Sequence, residues 1–373
     1  MAGIYIHIPF CKQACYYCDF HFSTDAQRQD EMVDALIVEI SLQKAFLKAS
    51  VETIYFGGGT PSVIRAKSLE RILTAVSSAF SVTPEAEITL EANPDDLSSL
   101  HLKDLRQIGF NRLSIGIQSF NDDLLRYLNR AHDAASAHQC MNESAKAGFD
   151  NISLDLIYAI PGLTLDEWNR TLVGALNYQP THLSSYGLTI EEGTVFGNWK
   201  KKGRLALVDD ESAAKQFELL QSTMGAAGYE HYEISNFCRP GFHSRHNSSY
   251  WNQKHYLGIG PSAHSYDGVR RYQNIRNNAL YLKAINERRI PSTFELLTPQ
   301  NKINEYILTR LRTQWGCDLQ FLRTELHDDL LSRCTTYLTR RQSEGFLIIK
   351  DGTLRITPRG RLLADQITED LMI

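Results

Sequence analysis

The chain has 373 residues, 43% of them hydrophobic and 22% charged, with a formal net charge of −4. Such a composition excludes disorder as the default and leaves room for one large core plus a smaller satellite unit. No apolar run approaches the roughly 18 residues that a membrane span needs, and the opening MAGIYIHIPFC has neither a basic leader nor a small-residue cleavage site, so a cytoplasmic protein is expected.

Short β-rich runs alternate with longer helix-period stretches through the first half. Strands are expected at Gly3 to Ile8, Thr53 to Phe56, Glu87 to Glu91, Arg112 to Gly116, Asn151 to Ile157 and His182 to Leu188. Helices are expected at Gln29 to Leu47, Ala66 to Ala79, Ser99 to Ile108, Ala134 to Ala147 and Leu165 to Leu176. This alternation predicts an α/β fold with a parallel sheet under helices. Six such units are too few for a closed eight-fold barrel, so a partial (βα)6 TIM-like barrel is expected over residues 1–190, with function at the carboxyl ends of its strands. Residues 191–290 read as an irregular extension, rich in Gly, His and aromatics, that completes the barrel rim. Residues 291–373 read as three helices followed by two apolar runs around Asp351-Gly352, a strong hairpin signal, which together suggest a winged-helix-like α+β domain.

Charge is uneven: residues 270–373 hold 17 Lys and Arg against 12 Asp and Glu, while the preceding part holds 22 against 31. A basic tail can meet nucleic acid, anionic lipid or a propionate-bearing ligand, but scattered surface Lys and Arg more often serve solubility. With an acidic body, no nucleic-acid partner is expected.

Of seven cysteines, three crowd together as Cys11-Lys-Gln-Ala-Cys15-Tyr-Tyr-Cys18. This CxxxCxxC spacing is poor for a disulfide framework in a reducing compartment and differs from the CxxC pairs of structural zinc sites. Three soft thiolates suit a 4Fe-4S cluster with one iron left for an exchangeable small molecule. The alternatives are zinc with His7 or His21 as fourth ligand, or cysteines that are merely buried. Gly57-Gly58-Gly59-Thr60-Pro61 follows the second strand, where residues without side chains let backbone approach a ligand and offer it amides.

The cysteine loop after the first strand, with that glycine run downstream, resembles the radical S-adenosylmethionine superfamily. Closer similarity runs through Tyr5 to Cys11 (YIHIPFC), Phe56 to Pro61 (FGGGTP), Asp155 to Gly162 (DLIYAIPG) and His246 to Trp251 (HNSSYW), and it covers nearly the whole chain. These segments resemble the coproporphyrinogen III oxidase-like family, in particular its haem-chaperone branch. The resemblance implies a 4Fe-4S cluster on Cys11, Cys15 and Cys18, with S-adenosylmethionine on the open iron and, in radical members, cleavage of that donor to a 5′-deoxyadenosyl radical. It further implies donor contacts from Tyr5 and Tyr17, from Gly58, Gly59 and Thr60 at the aminoacyl end, from Glu91 to a ribose hydroxyl or amine, and from Gln118, Arg130 and Asp155. The last two residues could instead form a structural ion pair. Gly187 and His264 fall where the family's adenine pocket closes.

The oxygen-independent coproporphyrinogen III dehydrogenases carry CxxxCxxCxC after a longer N-terminal extension. Here Phe20 stands at the fourth cysteine position and the motif begins ten residues in. Both departures, with the HNxxYW signature, imply a chaperone that hands haem to acceptor proteins, membrane-associated respiratory enzymes among the candidates. The dehydrogenase is the alternative. For haem iron, His246 is the leading candidate ligand, beside Tyr250 and Trp251 for the porphyrin face and Arg239 and Arg245 for propionates. His243, His255, His264 and Cys238 are further options.

Overall fold

Along the first strands, polar and apolar side chains alternate, and this period of two decides what the sheet encloses. Residues 2–373 are described by the computed structural model of the chain. The parallel strands are β1 (Ala2–Ile8), β2 (Val51–Gly58), β3 (Val82–Ala92), β4 (Arg112–Gln118), β5 (Asn151–Tyr158) and β6 (His182–Gly187). One face of each strand is apolar. Ile4, Ile6, Ile8, Ile54, Phe56, Leu90, Leu113, Ile115, Leu154 and Leu183 pack in the main core with the covering helices. Each such side chain contributes roughly 1.5–3 kcal/mol on leaving water. The other face carries Tyr5, His7, Thr53, Tyr55, Glu87, Glu91, Arg112, Ser114, Ser153, Asp155, His182 and Ser184. Closed eight-fold barrels fill that space with branched apolar residues; this one lines it with hydrogen-bonding groups, leaving a polar lumen.

Six further strands extend this sheet: β7 (Glu230–Glu233), β8 (Asn236–Cys238), β9 (Tyr256–Ile259), β10 (His264–Tyr266), β11 (Arg270–Asn274) and β12 (Ser292–Leu296). The order is β12-β11-β10-β9-β1-β2-β3-β4-β5-β6-β8-β7. Because β9 pairs parallel to β1, the parallel set has seven strands, one more than the alternation in sequence predicts. The β7–β8 hairpin and the β10–β12 meander flank it antiparallel. Edge strands β12 and β7 do not pair, so the barrel is open.

The stretch expected to be irregular contains the helix Asp210–Ala226. Asp209 caps it through Ser212 N, and Gln216, Phe217, Leu220 and Met224 form its buried stripe. Gln216 accepts from Ala159 N at 2.7 Å and donates to Leu163 O at 3.0 Å, so this helix fixes the loop leaving β5. On the other side, Glu39 of the helix Gln29–Leu42 is fully buried. It accepts from Gly260 N (2.7 Å), Asn274 Nδ2 (2.8 Å) and Tyr281 OH (2.5 Å), holding the β9–β11 region against the barrel.

The C-terminal unit has its own core around Ile307, Leu322, Leu338, Leu354 and Ile367. Its small sheet, β13 (Cys317–Asp318), β15 (Thr353–Ile356) and β14 (Leu347–Lys350), is antiparallel, and helices precede the hairpin. Asp351 and Gly352 both take positive φ, 51° and 71°, which matches the mirror-image turn that suits the twist of a two-residue hairpin. A helix, Ala364–Leu371, closes the chain. Among the described residues no helix is long and apolar enough to cross a membrane.

Candidate functional site

The loop after β1 carries the three cysteines, all half-buried. It is pinned at both ends: Cys11 N donates to Ser23 O and Ser23 N to Pro9 O, at 3.0 and 2.9 Å. Thr60 Oγ1 approaches Cys11 Sγ at 3.3 Å, and Arg130 Nη1 approaches Cys15 Sγ at 3.4 Å. Burial, the largest cause, pushes the Cys11 thiol up to about 12 and Cys18 up to about 11, with Cys15 adding to both. Thiolates at this position therefore need a cation. Among the described residues, the one group of His, Cys, Asp or Glu ligand atoms mutually within 4.8 Å is Glu230, Cys238 and His243. Three soft thiolates on one short loop suit an iron–sulfur cluster.

The glycine run supplies room, not donors. Gly58 N donates to Glu91 Oε2 at 3.3 Å, Gly59 N to Ile8 O at 2.9 Å and Thr60 N to Phe10 O at 2.7 Å, so these amides are committed. A Cβ on Gly58, at φ +112°, would lie 2.7 Å from the His7 ring, and one on Gly59 would lie 2.6 Å from Phe10 O. A side chain at Gly59 would press on the start of the cysteine loop, and one at Gly58 on the His7 ring.

Around the lumen mouth, Tyr5 and Tyr55 stack at 6.1 Å and Tyr55 OH donates to Glu91 Oε1 at 2.7 Å. Burial raises the Glu91 carboxyl to about 7, Asp155 pushes the same way, and Tyr55, Gly58 and Arg112 hold it back. Arg130 bonds Asn93 Oδ1 (2.6 Å), Gly116 O (2.8 Å) and Tyr17 OH (3.4 Å). Asp155 accepts from Ser114 and Ser153, each at 3.0 Å. The two are not an ion pair with one another. Gln118 ends β4 at φ +63°, a strained conformation of the kind that gathers at ligand sites. A cavity of about 270 Å³ is lined by Tyr5, Phe20, Tyr55, Gly58, Glu91, Tyr186, His246, Asn247 and Tyr250.

Gly58, Glu91 and Gln118 stand at or next to the carboxyl ends of β2, β3 and β4, Gly59 and Thr60 follow β2, Tyr17 is on the cysteine loop, Tyr5 and Asp155 lie midway along β1 and β5, and Arg130 follows the helix Asp122–Tyr127. Gly187 ends β6 and His264 begins β10, at opposite ends of the parallel set. His246 is placed differently from the expectation of a rim residue. It lies on the short helix Arg245–Trp251 beside the amino-terminal parts of β1–β3, 1% exposed, with both ring nitrogens bonded. Sequence reasoning missed Tyr55, Asn93 and Phe20 as lining or supporting groups; their inward parity with Glu91 and Tyr5 was the available signal for the first two. Of the other cysteines, Cys140 is buried on the helix Ala134–Lys146 and Cys317 is buried on β13.

An open parallel barrel with a three-thiol loop after its first strand defines a radical S-adenosylmethionine protein. Residues 5–173 match the Radical SAM superfamily and residues 297–363 the HemN C-terminal domain. The fold is that of coproporphyrinogen III oxidase (HemN) from Escherichia coli, with a TM-score of 0.86 at 23% identity over 100% of this chain and 90% of that one. At the level of sequence the likeness is closer. The chain is 35% identical to "Heme chaperone HemW" of Lactococcus lactis over 99% of this chain and 97% of that protein, and 35% identical to the Bacillus subtilis protein of the same name over 98% of each. The chain belongs to the HemW family of the radical S-adenosylmethionine superfamily.

Proposed function

We propose that this protein is a cytoplasmic haem chaperone that binds haem, a 4Fe-4S cluster and S-adenosylmethionine, and passes haem to acceptor proteins. The observation that carries the choice over a dehydrogenase is Phe20. Where the oxygen-independent dehydrogenases have a fourth cysteine, this chain has an aromatic ring, 73% exposed and lining the donor cavity. Similarity to several proteins named heme chaperone along nearly the whole chain supports the same reading.

In this reading Cys11, Cys15 and Cys18 hold the cluster, and Arg130 and Thr60 place positive or donor groups against two of the sulfurs. When bound, the cluster supplies a single electron and an open iron corner for the donor's amine and carboxylate. Glu91 meets the cationic donor, and Tyr5, Tyr17, Gln118, Arg130, Asp155, Gly187 and His264 complete its pocket.

The test is a paired anaerobic assay of reconstituted protein with S-adenosylmethionine. The chaperone reading predicts haem handover to an apo-haem protein and no conversion of coproporphyrinogen III. Turnover to protoporphyrinogen would establish the dehydrogenase instead.

A further inference from the structure

The HNSSYW segment forms a helix, and its histidine points into the barrel beneath the donor pocket. His246 N donates to Glu87 Oε1 at 3.0 Å, which ties the helix start to β3. The ring shares one hydrogen bond with Thr53 Oγ1 through Nδ1 and another with Tyr250 OH through Nε2, both at 2.8 Å. A neutral imidazole has one donor and one acceptor nitrogen, and here both are used. Burial, with Arg112 nearby, pushes the ring's pKa down to about 3, so it is neutral at physiological pH. Iron could bind only by displacing one of these partners.

The ring also lies flat against Tyr55, 5.0 Å between centroids and 22° between planes. Tyr55 OH is the group that donates to Glu91. Gly3 leaves space for this arrangement: a Cβ there would stand 3.3 Å from His246 Cε1 and Nδ1. The far end of the helix meets the C-terminal unit. The Arg312 guanidinium sits over the Trp251 ring at 5.8 Å, and Arg310 Nη1 donates to Asn252 Oδ1 at 2.5 Å.

We propose that His246 is a positioning residue of the donor pocket, holding the Tyr55 ring and through it the Glu91 carboxylate, and is not an axial ligand of haem. The proposal rests on reading Glu91 as the acid that meets S-adenosylmethionine. Losing the tether on a charged acceptor corresponds to about tenfold in affinity.

The experiment uses the full chain, reconstituted anaerobically, with three readouts: iron and sulfide content, S-adenosylmethionine affinity by equilibrium dialysis together with the donor-induced change in the reduced cluster's EPR signal, and haemin titration at the Soret band. His246→Leu is expected to weaken the donor about tenfold and blunt the EPR change, with cluster content and haem binding retained. Tyr55→Phe should do the same, and the double variant should be no worse than the stronger single within about twofold, since both act on one chain of contacts. His246→Gln, which can still bond Thr53 or Tyr250, should recover most of the affinity. Should His246→Leu fail to load the cluster, Tyr250→Phe removes a single oxygen and carries the same expectation. Unchanged donor affinity in His246→Leu overturns the proposal, and loss of the Soret shift alongside it assigns the axial role instead. A wild type that binds no S-adenosylmethionine overturns the underlying reading of Glu91, and that failure is seen before any substitution is made.

Discussion

Replacing Glu91 with Gln should abolish a defined pH dependence of donor binding. Burial raises the Glu91 carboxyl to about 7, and the proposed contact with the cationic donor's amine calls for the ionised form. With that value the apparent affinity falls by a factor of about 11 at pH 6 and about 1.1 at pH 8, so wild type should bind roughly tenfold more weakly at the lower pH. Gln keeps the shape and can still accept from Tyr55, but it carries no charge. The loss of one charged contact amounts to about 1.5–3 kcal/mol, or some tenfold to hundredfold at pH 8. The donor's own amine titrates in both proteins alike, so the wild-type to Glu91→Gln affinity ratio isolates the carboxylate. Anaerobic equilibrium dialysis at pH 6, 7 and 8 measures it. A ratio that does not change with pH would refute the reasoning. The same shift has a consequence for the donor-free fold. The unfolded chain ionises at the ordinary value of 4.5, so between there and pH 7 it holds fewer protons than the native state. Stability contributed by protonated Glu91 is therefore fully present below that window and declines by about 3 kcal/mol as pH rises through it.

Cys15→Ala removes one thiolate and the sulfur facing Arg130; iron and sulfide should fall to background while circular dichroism stays native. Gly59→Ala places a Cβ 2.6 Å from Phe10 O and 3.0 Å from Cys11 Sγ, so it should fold yet lose most of its cluster, read as iron per chain. Glu39→Ala leaves Gly260 N, Asn274 Nδ2 and Tyr281 OH without their buried acceptor and should cost about 3 kcal/mol or more in urea unfolding, far from the cysteines.

Strongly periodic elements were legible from the residues. The helices Ala66–Ala79 and Leu165–Leu176 match their expected bounds, because each carries an amphipathic stripe and the second a capping box at Thr164 and Glu167. The short strands β7 to β12 were hidden, since runs of three to five residues give too few alternations to read. Strand β9 is the instructive case: Tyr256–Ile259 becomes the seventh parallel strand through pairing with Gly3 to Ile6, a contact across the chain that no local pattern encodes. At the site, the cysteines stood out by their spacing, while Glu91 was singled out through the family resemblance. His246 was found as a residue but misplaced in space, because a His–Asn–aromatic segment reads the same whether its ring faces solvent or a barrel floor. The amides of Gly59 and Thr60 pair with Ile8 and Phe10 for a related reason: long-range backbone bonding is set by strand register, not by composition.

The most direct measurement of the account is haemin titration of the anaerobically reconstituted wild-type protein, cluster and S-adenosylmethionine in place, followed at the Soret band. A chaperone should show saturable binding with a shifted band, and the bound haem should move to an apo-haem acceptor on mixing. Absence of a shift, or binding that grows without saturation, would contradict it.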